Sequence, residues 1–198
     1  MSLLLDLVLT GGGYLVGSIA TAILVARALG LGDPRLSGSG NPGATNLLRI
    51  GGKKAAALTL AGDLSKGAIP IVVARLLGLH DWALAAVALA TFLGHLYPVF
   101  FGFRGGKGVA TALGILLALK PALGGLILGV WMLVFALTRV SSLAALLAAL
   151  SAVPFAFVLS SGTSLRALII VLVLLVLWRH RSNIRRLLDS SESPFKKR

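Results

Sequence analysis

Two short glycine-rich stretches carry the residue types best suited to holding an anion. The first, Ser37 to Asn46, reads SGSGNPGATN; the second, Gly102 to Gly108, reads GFRGGKG. Gly38, Gly40, Gly43, Gly105, Gly106 and Gly108 let backbone N–H groups converge on phosphate oxygens. Ser37, Ser39, Asn41, Thr45 and Asn46 add hydroxyl and amide groups, and Arg49, Arg104 and Lys107 bring positive charge beside them. One such stretch would be ordinary as a flexible connection or a close helix contact. Two of them, each with its own cations, point to phosphate chemistry.

Nucleotide folds do not account for these stretches. Gly38 to Gly43 satisfies GxGxxG, but neither a preceding strand nor a βαβ unit frames it. Gly105-Gly-Lys-Gly108 resembles part of a phosphate-binding NTPase loop, yet Gly108 stands where a magnesium-binding Ser or Thr is needed. Near the C-terminus, RHRSNIRR from Arg179 to Arg186 places His180 and Asn183 three residues apart, on one side if the last helix continues through them. That segment reads equally well as a basic juxtamembrane helix for anionic headgroups. Asp63 and Lys66, also three apart but inside an apolar run, must pair or line a cavity, and a structural ion pair is expected. His95, in GHLYP, reads as a buried histidine bonded to a neighbouring helix, with Pro98 loosening the helix before the second loop. Gly17-Ser18 and Gly11–Gly13 read as close helix contacts.

The elements that must position these residues belong in a bilayer. Of the 198 residues 57% are apolar and only 13% charged, against about 25% charged in soluble domains; the mean hydropathy is +0.96. A helix needs roughly 20 apolar residues to cross about 30 Å of hydrocarbon. The apolar runs predict an all-α integral membrane protein, a single transmembrane domain over 1–198 with about seven helices and a basic cytoplasmic tail from 179 to 198. The spans fall near Leu3–Leu29, Ala55–Leu77, Trp82–Phe101, Val109–Leu119, Ala122–Leu137, Leu143–Leu159 and Leu165–Trp178. The fourth is short enough to be a half-span ending at Lys120-Pro121. The first lacks a basic region before it and reads as a retained span.

The net charge of +13 reads as topology, not nucleic-acid binding, because no soluble basic face exists to follow a phosphate backbone. Seven crossings with the N-terminus outside put Arg27, Arg35, Arg49, Lys53, Lys54, Arg104, Lys107, Arg139 and the tail in the cytoplasm. Arg75, Lys120 and Arg166 then face outward, through the short loops Leu79–Asp81, Lys120-Pro121 and Ser160–Ser164. If the fourth span re-enters instead of crossing, every later loop flips. With seven crossings, both glycine loops share the cytoplasmic face with the Ser141-Ser142 turn and the tail. Cysteine is absent, which excludes thiolate metal sites and a cysteine nucleophile; no metal or cofactor is expected.

These motifs, taken in order, resemble the bacterial acyl-phosphate-dependent glycerol-3-phosphate acyltransferases of the inner membrane. The resemblance rests on Gly17-Ser-Ile19, SGSGNPGATNLLR from Ser37 to Arg49, DLSKG from Asp63, GHLYPVFFGFRGGKGVAT from Gly94, Ser141-Ser142-Leu143, and RHRSNIRRL from Arg179. It implies transfer of a fatty acyl group from acyl phosphate to the 1-hydroxyl of glycerol 3-phosphate, the first acylation of phospholipid synthesis, at the cytoplasmic side of the inner membrane. It implies catalytic roles for Ser39, Arg49, Lys107, His180 and Asn183, and substrate contacts from the remaining loop residues, with Ser142. Glu192 matches an acidic residue that supports structure. Acyl phosphate, glycerol 3-phosphate and membrane lipids are the partners implied, with neighbouring lipid-synthesis enzymes beside them.

Two phosphate-bearing substrates would explain two anion cradles. An acyl phosphate is already an activated anhydride, so the protein has to hold two mutually repelling anions and neutralise charge as the hydroxyl attacks. Arg49 and Lys107 are the expected charge stabilisers. The proton acceptor is either His180, made harder to protonate by Arg179 and Arg181, or a phosphate oxygen of the donor, and the latter is preferred. Ser39 as a covalent acyl carrier is disfavoured because no base is evident beside it. The rival reading, a transporter of phosphorylated anions, fits poorly with outward loops that offer little to guide an anion and with the lack of an evident repeat.

Overall fold

The computed structural model describes residues 3–159, 162–192 and 194, and every regular element among them is helical. Residues 160 and 161 of the predicted outward loop, and 193 and 195–198 of the tail, lie outside the described residues. The helices are α1 (Leu3–Gly17), α2 (Thr21–Ala28), α3 (Ala44–Leu76), α4 (Asp81–Leu96), α5 (Val109–Leu119), α6 (Pro121–Thr138), α7 (Ser141–Leu159), α8 (Thr163–Arg179) and α9 (Arg181–Leu188). Four of them, α3, α4 with its 3₁₀ extension to Phe101, α6 and α7, are long and apolar enough to cross a bilayer alone. Counting α1–α2 and α8–α9 as one bent span each makes six, and the eleven-residue α5 is the short apolar helix the sequence predicts, with the same bounds.

The helices group into two compact units that divide after Leu119. In the first, α1 packs on α4 and α3 on α5, and glycines set both crossings. A Cβ on Gly17 would fall on the Thr91 carbonyl and one on Gly94 on the Tyr14 carbonyl; between α3 and α5, Gly67 and Gly114 abut the carbonyls of Thr111 and Leu64 in the same way. Of the Gly11–Gly13 run only Gly13 makes such a contact. Without a hydrophobic drive between helices in lipid, such close backbone approach is what makes packing favourable.

Three features of the spans, two of them departures from the predicted ones, depend on interactions between distant parts of the chain. The first span is not continuous: the helix stops at Gly17, resumes at Thr21 and bends by 41°. The Lys66 ammonium donates to the Ile19 carbonyl at 2.7 Å, supplying a partner that the broken helix withdraws. Second, α3 begins at Ala44, so Thr45, Asn46 and Arg49 stand on a helix instead of in the loop. This opening segment joins the span at Gly52 (φ 73°, ψ −169°), a left-handed conformation that glycine adopts without a steric penalty. Leu47 pins it, fully buried against Ala22, Ala26 and Ala55. Third, α5 ends with its last carbonyls, Ala118 and Leu119, bonded by the Arg75 guanidinium at 2.9 and 2.8 Å, which caps the helix and complements its dipole.

In the second unit α7 packs against α6 and α8. Its buried face is an alanine stripe, Ala145, Ala148, Ala152 and Ala156, at the three- and four-residue spacing of one helix side. Pro121 occupies the first turn of α6, where its missing N–H costs nothing. The chain turns into α9 with a 60° bend at His180, so the last span does not run on as a straight helix through the RHRSN motif.

Candidate active site

The first loop is organised from within. Asn46 is 1% exposed and uses its whole amide: Oδ1 accepts the Ser39 N–H at 2.9 Å, and Nδ2 donates to the carbonyls of Pro34 and Ser37 at 2.9 and 3.0 Å. A side chain expected to hold phosphate therefore holds the loop that would do so. Gly38, at φ 62°, passes so close that a Cβ would strike Asn46 Oδ1. Ser39 and Gly40 are left exposed, with Ser37, Asn41, Gly43 and Thr45 half-buried around them. Arg49 is exposed on the opening segment of α3.

Arg35 ties this loop to the second. Its guanidinium grips Asp33 with two parallel bonds, Nε to Oδ1 at 3.0 Å and Nη2 to Oδ2 at 2.7 Å, and Nη1 donates to the Phe101 carbonyl at 2.9 Å. The side-chain hydrogen bonds from Arg35 hold the Asp33 carboxyl below the usual carboxylate range. After Pro98 the chain makes one 3₁₀ turn, reverses at left-handed Gly102 and re-enters with the Gly105 N–H on the Leu96 carbonyl at 3.2 Å. Gly105, Gly106 and Gly108 are buried, Lys107 is half-buried between them and Arg104 is exposed.

Between the loops lies a cavity of about 770 Å³. Its wall includes Arg27, Arg35, Arg104, Gly40, Gly105 and Phe100, and the one carboxylate on the described wall, Asp33, is already engaged by Arg35. The lining is thus cationic, though not through the cations expected to dominate: Arg49 and Lys107 do not line it. In the sequence Arg27 carries a topology signal alone, because it stands at the end of an apolar run with no motif around it.

Beneath the loops sits a polar cluster. Lys66 Nζ and Asp63 Oδ1 form the expected ion pair at 2.8 Å, with both side chains at most 6% exposed. His95 Nδ1 lies 3.0 Å from Thr111 Oγ1 on α5, the expected bond to a neighbouring helix, and 3.7 Å from Asp63 Oδ1. A narrow void lined by Asp63, Lys66 and His95 also touches Pro42, Gly105 and Gly106, so the cluster is the floor of both loops. Sequence reading identified its members but had no local signal for that placement.

The third motif lies in the second unit. His180 is 2% exposed, and its Nδ1 is 2.8 Å from the Val176 carbonyl. A carbonyl only accepts, so Nδ1 carries a proton and a neutral ring presents Nε2 as an acceptor. Asn183, expected to meet substrate, donates to Glu192 Oε1 at 2.6 Å; Ser142 Oγ donates to the same oxygen at 2.6 Å, and Arg186 Nε to Oε2 at 2.5 Å. Burial opposes the ionised carboxyl, but the donors Ser142, Arg186 and Asn183 outweigh it and hold its pKa below the ordinary value. Glu192 thereby joins the start of α7 to α9.

Comparison with known proteins accords with this arrangement. The family described as Glycerol-3-phosphate acyltransferase matches residues 7–190. The glycerol-3-phosphate acyltransferase of Methylobacillus flagellatus is 58% identical over 185 residues, 93% of this chain and 94% of that protein. The one of Thioalkalivibrio sulfidiphilus is 54% identical over 190 residues, 96% and 94% of the two chains. The chain is also similar to the crystal structure of PlsY (YgiH), an integral membrane glycerol 3-phosphate acyltransferase, in its glycerol 3-phosphate form, at 43% identity and a TM-score of 0.92 over 96% of each chain. The lysophosphatidic acid form gives 42% and 0.90, over 96% of this chain and 95% of that one. A multi-pass membrane protein with two glycine-rich loops joined around a cationic cavity, and with these relatives over nearly all its length, belongs to the glycerol-3-phosphate acyltransferase family.

Proposed function

We propose that this protein transfers a fatty acyl group from acyl phosphate to the 1-hydroxyl of glycerol 3-phosphate, at the cytoplasmic face of a bacterial inner membrane. The observation that carries the reading is the union of the two glycine loops around one cationic cavity, through Arg35 and the Phe101 carbonyl. The neighbouring structures are described in glycerol 3-phosphate and lysophosphatidic acid forms, the acceptor and the product of one acyl transfer.

The bookkeeping of bonds is simple. The glycerol hydroxyl oxygen bonds to the acyl carbon, the bond from that carbon to the phosphate oxygen breaks, and phosphate leaves with the electron pair and takes up the hydroxyl proton. The protein's share is to hold both anions in attack geometry and stabilise the oxyanion that forms, a positioning task for which effective molarities reach about 10⁵–10⁸ M. Arg49, Lys107 and Ser39 take the charge-stabilising roles in this scheme, with the backbone N–H groups of Gly38, Asn41 and Arg104 on the phosphates. His180 and Asn183 keep the part that the family resemblance implies for the third motif, with Ser142 and Glu192 behind Asn183. The acyl chain enters from the lipid.

The test is direct. Purified protein is given glycerol 3-phosphate with either acyl phosphate or acyl-CoA, and lysophosphatidic acid is measured. Product from acyl phosphate is expected; product from acyl-CoA alone would overturn the donor, and none from either would overturn the reaction.

A further inference from the structure

The buried cluster beneath the loops is larger than an ion pair in an apolar span requires. A lone Asp–Lys pair could satisfy itself, yet here Lys66 also reaches the Ile19 carbonyl of the broken first span, and Asp63 also lies beside His95. The same ring nitrogen, His95 Nδ1, also meets the Thr111 hydroxyl of α5. The group therefore links the break between α1 and α2 to α3, α4 and α5 at the level of the loops. What it presents upward is the His95 ring edge, and the part of the chain lying on that edge is the Gly106 peptide.

The geometry there is tight. A Cβ added at Gly106 would meet His95 Nε2 at 2.6 Å and the Pro42 carbonyl at 3.0 Å, and one added at Gly105 would fall on the carbonyls of His95 and Leu96. Gly106 is thus clamped between the imidazole and the Pro42 turn of the first loop. It is the position where the two loops touch and where both touch the floor. A shift of the ring would be transmitted to Gly105, Lys107 and Pro42 together.

We infer that His95, braced by Asp63, Lys66 and Thr111, is a positioning residue that sets the separation of the two phosphate loops through the Gly106 peptide. It touches no reacting atom in this scheme. Preorganised donors lose efficiency steeply with displacement, and an error of about 1 Å costs about 10²-fold. The inference rests on the reading that the loops hold the two substrates.

The experiment is a double-mutant cycle on the purified, active protein. In Gly106→Ala the added methyl meets the ring, and kcat/KM should fall about 100-fold. In His95→Ala, with the ring gone, kcat/KM should fall about 10-fold, and adding Gly106→Ala to that background should cost less than about 5-fold more. Thermal unfolding midpoints of the four proteins are read alongside. Losses that simply multiply, or that follow the midpoints, would overturn the inference. If His95→Ala does not fold, Thr111→Val, which removes only the hydroxyl beside the ring, decides: a 3- to 10-fold rise in KM for a phosphate substrate at an unchanged midpoint supports positioning, and an unchanged KM refutes it. Failure of the underlying reaction would appear separately, as a wild-type protein that makes no product.

Discussion

At the scale of single residues, the structure separates side chains that face the cavity and loops from those that hold them. Lys107 stands half-buried between buried Gly106 and Gly108, so its removal leaves the packing intact but strips a cation from the loop. Lys107→Ala is expected to lower kcat by about 10²–10³-fold, as for loss of one oxyanion donor, with little change in thermal midpoint; a steady-state assay beside a melting curve checks both. Glu192 is the opposite case. Its carboxylate is favoured in the folded state, so the stability it adds is present at neutral pH and fades as the pH falls through the ordinary carboxylate range, about 4, and below. Glu192→Gln should be less stable at pH 7 by roughly 1–3 kcal/mol and show a flatter decline from about pH 5 down to about 3, read as the unfolding midpoint in detergent. Residue types and spacing single out the two glycine stretches, but not who holds whom within them. Asn46 looks identical in the sequence whether it binds phosphate or the carbonyls of Pro34 and Ser37; only the folded loop decides.

At the scale of elements, glycines set where helices cross, and their effects divide by what a Cβ would meet. Gly114 abuts the Leu64 carbonyl across the α3–α5 contact, and backbone cannot move aside as a flexible side chain can. Gly114→Val should therefore part the two helices, cost about 1–3 kcal/mol or more, and displace Thr111 from His95. Gly11 in α1 has no described heavy atom within 4 Å of the added Cβ, so Gly11→Ala should leave the midpoint unchanged or slightly raised. Comparison of the two midpoints tests the assignment, and an equal loss in both would refute it. Apolar run length located the helices well, with α5 found to the residue. It does not show the break at Ser18–Ala20, where the Ile19 carbonyl is bonded by the nearby Thr21 N–H and by Lys66, 47 residues away. No local pattern carries that information, and the same holds for the bend at His180.

At the scale of the whole chain, the open matter is how so short a helix as α5 serves a polytopic protein. Eleven residues at about 1.5 Å each give about 16 Å, half the hydrocarbon thickness. The loop before it is the candidate for the missing half: the second glycine loop is seated on the floor formed by Asp63, Lys66 and His95, and α5 starts beside Gly67, in the final third of α3. From there it runs to the end of α3, where Arg75 caps it. The irregular backbone before it is tolerated at that depth because Gly105, Gly106 and Gly108 are buried in protein. We propose that loop and helix together make one crossing; the positive-inside bias then puts the basic loops and tail on the cytoplasmic side with the N-terminus outside. The chain has no cysteine, so single introduced cysteines report without background. In intact cells treated with a membrane-impermeant maleimide, His80→Cys should label, whereas Leu36→Cys and Ser182→Cys should label only after the membrane is opened. If α5 instead turned back, Leu36→Cys would stay protected while Ser182→Cys labelled from outside, and the two sites would part company in a single experiment.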